Sequence, residues 1–159
     1  MPKEARPRNL PLFTEEEFEA RRPILLQGIQ QYNEGYFFEA HETWEELWLQ
    51  SPWPARQFLQ GLIQVAAAFV HLMRREHPGT IRLLRAALAK LRDFPPDYLG
   101  IDVARLAAEA EAAREALVAL GPARFEEWDQ RGIPQVHLLG PGQRRTARRR
   151  PAARRSPKV

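Results

Sequence analysis

Three titratable residues stand close together where a helix should be apolar. They are His41, Glu42 and Glu45, in the stretch Phe37-Phe38-Glu39-Ala40-His41-Glu42-Thr43-Trp44-Glu45-Glu46-Leu47-Trp48-Leu49. At ~100° per residue, Glu39, Thr43, Glu46 and Gln50 share one narrow face, which reads as the solvent side. The opposite arc holds Phe37, Phe38, Ala40, Trp44, Leu47, Trp48 and Leu49, with His41 and Glu45 inside it and Glu42 on its edge. A carboxylate among aromatics needs a partner or a shifted pKa. A buried polar site is therefore expected, with His41, Glu42 and Glu45 as candidates for acid–base work. Trp44 and Trp48 read as its packing walls.

The next helical stretch carries a matching anomaly. Gln60, Gln64 and His71 fall on one stripe with Ala67, and no charged residue occurs from Gln57 to Met73. A solvent stripe of that length normally carries Lys or Glu. The break between the two stretches, Ser51-Pro52-Trp53-Pro54, is short, so the helices should be antiparallel neighbours. Residues whose numbers sum to roughly 105–109 then share a height. Glu45 pairs with the Gln60–Gln64 level, His41 with Gln64–Ala68, and His71 with Glu34–Phe38. A ladder of His41, Glu42, Glu45, Gln60, Gln64 and His71 is expected between the second and third helices. In it, amides donate to carboxylates and accept from imidazole.

The chemistry open to such a ladder is bounded by what surrounds it. His41 and Glu45 stand at i and i+4, and His71 or Glu42 could complete a metal set. Yet His41-Glu42-x-x-Glu45 lacks the second histidine of a zincin motif, and amides are poor transition-metal ligands. No metal and no cofactor is expected. No Ser, Cys or Thr nucleophile stands beside the carboxylates, since Thr43 reads as outward-facing. An enzyme here would be hydrolase-like, with Glu45 or Glu42 as base and His41 as its partner. Against this stands a plain network that fixes helix register. That reading also suits a binding or interaction module, with a groove that accepts a partner segment or a small ligand. The module is the leading expectation and the hydrolase the alternative.

The elements that must hold these residues are all helical. No segment alternates as a strand does, and the fold class is all-α, a compact bundle of about five helices with short connections. Thr14 and Glu17 form a capping box for a first helix running to about Asn33, where Pro23 predicts a kink or two pieces. Gly35 is placed in a left-handed helix stop. The second helix runs to about Gln50, and the third spans about 55–75. His77-Pro78-Gly79 reads as connection, and a fourth helix covers about 80–92. Asp102 caps a fifth helix that ends at Leu120 before Gly121. Residues 125–128 read as a short turn and 133–139 as a docked arm. Trp53 is expected in the core, and His77 and His137 at the surface.

The chain of 159 residues reads as an extended arm over 1–13, one helical domain over 14–139 and an Arg-rich tail over 140–159. The longest apolar stretch, Leu62 to Met73, is interrupted by Gln64 and His71 and falls short of the ~20 residues a bilayer needs. A cytoplasmic protein without a membrane partner is expected. The formal net charge is +4, but eight of the 24 basic residues follow Gly140, where no acid occurs. The sixteen before it stand against all 20 acidic residues, so the helical part carries about −4. The basic tail is expected to be disordered and suits weak, non-specific nucleic-acid contact. It lacks interleaved aromatics for base stacking. A homodimer is a further possible partner state.

The stretch from Asn33 to Glu42, the run Trp44-Glu45-Glu46-Leu47-Trp48, and Phe58-Leu59-Gln60-Gly61-Leu62-Ile63-Gln64-Val65-Ala66-Ala67 together resemble the prokaryotic domain-of-unknown-function family 309. Its pattern is "AHE..EE.W" followed by "QGLIQ.A", with a later histidine matched by His71 and a Gly-containing turn matched at Gly79. The resemblance covers about Gly28 to Leu91. It implies a small helical bundle and no activity.

Overall fold

The computed structural model describes residues 15–140. Thr14, the arm over 1–13 and the basic residues after Gly140 lie outside the described residues. Among the described residues there are five α-helices, α1 (Glu15–Asn33), α2 (Phe37–Leu49), α3 (Ala55–Met73), α4 (His77–Leu91) and α5 (Val103–Leu120), with short 3-10 turns at Tyr98–Gly100, Phe125–Glu127 and Gln130–Gly132. The fold is a compact all-α bundle. No helix among the described residues is long and apolar enough to cross a membrane.

α3 is the central element. It packs against both α2 and α4, while α1 packs on α2 and α5 on α4. Its apolar residues cover most of its circumference, and Phe58, Leu59, Leu62, Ala66 and Phe69 are all completely buried. A helix with apolar residues on nearly every side must sit inside the bundle. Tyr32 and Trp44 complete the aromatic core, with ring centroids 5.9 Å apart.

Two chain reversals set the site. At the end of α1, the Tyr36 N–H donates to the Gln31 carbonyl and the Gly35 N–H to the Tyr32 carbonyl, and Gly35 has φ +91°. This is the Schellman arrangement with glycine in the left-handed position. The end of α3 repeats it with Glu76 N–H on the His71 carbonyl and Arg75 N–H on the Leu72 carbonyl. Here an arginine, Arg75, takes the left-handed position with φ +62°.

Two expected boundaries differ. α1 is one continuous helix through Pro23. Pro23 and Glu19 are both exposed, so the Glu19 carbonyl that the proline leaves without its helical partner can meet solvent. α4 begins at His77, with Pro78 in its first turn. A proline there costs no helical hydrogen bond, so His77-Pro78-Gly79 is helix and not connection. Asp102 does cap α5, its side chain accepting from the Arg105 N–H at 3.1 Å.

Residues 133–139 run extended against the helices. The Tyr32 hydroxyl donates to the Pro134 carbonyl at 2.6 Å. The Asn33 amide both donates to the Val136 carbonyl and accepts from its N–H, each at 2.8 Å. Further on, Asp102 N–H donates to the His137 carbonyl and Leu139 N–H to the Gly100 carbonyl.

Candidate functional site

Phe38 and His41 stand one turn apart on the α3-facing side of α2. Their rings stack with centroids 6.1 Å apart and planes 27° from parallel. Phe38 remains 49% exposed. Across from them α3 contributes Ala67, Val70, His71 and Arg74. Together the six enclose an open hollow of about 160 Å³ on the protein surface. Its floor is apolar, and among the described residues its lining contains two imidazoles and one guanidinium, with no carboxylate and no Ser, Thr or Cys.

Each polar group is positioned by its neighbours. His71 sits on the last turn of α3, and its Nδ1 lies 2.7 Å from Glu76 Oε1. The Schellman turn that bonds Glu76 N–H to the His71 carbonyl brings the carboxylate back to the ring. Gly79 on α4 makes room for that ring, because a Cβ there would come within 2.7 Å of His71 Nδ1. The contact between His71 and Glu76 is an ion-pair approach and not an aligned hydrogen bond among the described residues. His41 Nε2 lies 3.6 Å from Glu45 Oε2, too far for a direct hydrogen bond. Its Nδ1 is buried without a hydrogen-bond partner among the described residues. Arg74 is exposed at the mouth.

The expected ladder is drawn together only in part. The register holds: Phe38, His41, Ala67 and His71 line one hollow, as antiparallel packing about the 51–54 break requires. The burial does not. Gln60 and Gln64 are buried at 3% and 7% exposure, whereas the His41 and Glu45 side chains are 27% and 44% exposed and Glu42 faces solvent. The physical reason is the width of the buried arc of α2. It comprises Phe37, Ala40, Trp44 and Leu47 alone, while Phe38 and Leu49 are exposed. A helix at the side of the bundle buries a narrow stripe, and the polar residues flank it.

The remaining expected residues lie apart. Trp44 is fully buried and donates from Nε1 to the Leu25 carbonyl at 3.2 Å. Trp48 lies at the other end of α2, under the Arg56 guanidinium at 4.0 Å from its ring centroid. Thr43 is half-buried, donating to Gln31 Oε1 at 2.7 Å. His77 is half-buried too, with Nε2 3.1 Å from the Leu117 carbonyl oxygen. Val70 and Arg74 were not expected at the site. Arg74 did leave a signal, as the first charge after the charge-free run and one turn beyond His71.

No group of three His, Asp or Glu side chains able to hold a metal ion occurs among the described residues. The hollow offers a flat aromatic wall, an apolar floor and cationic or hydrogen-bonding groups at its rim. No curated protein matches the chain. Residues 25–83 match the family described as Domain of unknown function (DUF309). That span contains every described residue lining the hollow.

Proposed function

We propose that this chain is a binding domain whose site is the hollow between α2 and α3, and that it takes a small ligand built on a single ring. One observation carries the reading: Phe38, His41 and His71 are held around an apolar floor of Ala67 and Val70, open to solvent. A cavity of about 150 Å³ holds one benzene ring, and the hollow of about 160 Å³ is of that size. Binding sites are typically concave and apolar with a few placed polar groups. A network serving only helix register would leave its members satisfied, yet His41 Nδ1 and Gln64 Oε1 are buried without hydrogen-bond partners among the described residues.

The test is a screen of single-ring compounds by two-dimensional amide NMR on the full chain. Shifts should cluster in residues 38–41 and 67–74. Shifts confined to other parts of the bundle, or none with any compound, would remove the hollow as the site.

A further inference from the structure

The rim of the hollow assigns the ligand a charge. Building on the binding site proposed above, we infer that the ring it takes carries an acidic group, as in a small aromatic carboxylate. Three observations bear on this. Among the described residues the lining holds a guanidinium, that of Arg74, and no carboxylate. Arg74 makes no ion pair among the described residues, in contrast to Arg92, Arg105, Arg114, Arg124 and Arg131, each paired with a carboxylate. The two acids that approach lining residues each face an imidazole and not Arg74: Glu76 lies 2.7 Å from His71 Nδ1 and Glu45 3.6 Å from His41 Nε2.

The geometry then divides the ligand in two. Its ring would lie over Ala67 and Val70 beside the stacked Phe38 and His41, where burial of apolar surface drives binding. Its acid group would lie at the mouth beside Arg74, whose forked donors match a carboxylate. The hollow is lined by six residues of two helices. That size suits a free small molecule better than a peptide, which needs a groove several residues long. The two ends of this chain beyond the described residues are also poorly suited as occupants. The final nineteen residues carry eight basic residues and no acid, and residues 1–13 carry Lys3, Arg6 and Arg8 against Glu4. Both would bring positive charge to Arg74.

Arg74 also stands at the C-terminal cap of α3, where a cation is favoured by the helix dipole alone. The experiment separates the two roles. Benzoate and benzamide, which share a ring and differ in charge, are titrated into the full-length protein and followed by amide NMR. Both should perturb residues 38–41 and 67–74, with benzoate binding about tenfold more tightly. In Arg74→Gln the preference for benzoate should be lost and the two compounds should bind alike; a preference that survives the substitution would overturn the inference. Equal binding of the two compounds to the wild type would overturn the acidic-ligand inference while leaving the binding site standing. Binding of neither would overturn both.

Discussion

Gln64 is 7% exposed, and its Oε1 has no hydrogen-bond partner among the described residues. A buried acceptor left unmade costs about 1–3 kcal/mol. Gln64→Leu keeps the volume and removes the orphan, and it should raise stability by about 1 kcal/mol in denaturant unfolding; a loss of stability would show that the amide is bonded. Gly28 runs the other way. A Cβ there would collide with the indole of Trp44, which is fully buried and tied to the Leu25 carbonyl. Alanine gains about 1 kcal/mol of helix propensity over glycine, but overpacking a filled core costs about 1–3 kcal/mol. With a rigid indole as the neighbour the clash should win, so Gly28→Ala should melt below wild type, and a higher melting temperature would contradict the packing. At this scale residue types were legible and directions less so. The charge-free run over Gln57–Met73 marked the Gln60 and Gln64 stripe as buried, and both are buried. Phe38 and Leu49 looked like core by type, yet are exposed at 49% and 65%. Composition does not say how wide a stripe a helix buries.

Among the elements, the reversals ending α1 and α3 are the same motif, and only one was legible. Gly35 announces its left-handed turn by residue type, whereas Arg75 adopts φ +62° without any such sign. That second turn places Glu76 on His71, so half of the site's polar geometry follows from a conformation the residue type conceals. The start of α4 was hidden for a related reason, since Pro78 suits a helix start as well as a break. The 133–139 stretch depends on side chain to backbone bonds, above all the reciprocal pair between Asn33 and Val136. Val136 is 2% exposed, so losing the Asn33 amide strands both its backbone groups. Asn33→Ala should cost about 1–3 kcal/mol and speed amide hydrogen exchange at Val136 more than in α3. Unchanged exchange at Val136 would show that other contacts hold the arm.

Along the whole sequence, the excess of basic residues lies outside the segment that builds the site. The chain up to Gly140 is net acidic, at about −4, and eight basic residues follow it. Any contact with nucleic acid should therefore run through residues 141–159 and weaken as salt rises. Deleting them should abolish retention of duplex DNA while leaving the benzoate titration unchanged; DNA binding that survives the deletion would place it on the helical surface instead. The central claim concerns the hollow, and Ala67, on its floor, gives direct access to it. The measurement is the benzoate titration of Ala67→Leu, followed by amide NMR, in which the larger side chain occupies the space of the ring. The account predicts a folded protein whose residues 38–41 and 67–74 no longer respond to benzoate. A folded variant that responds there as the wild type does would contradict it.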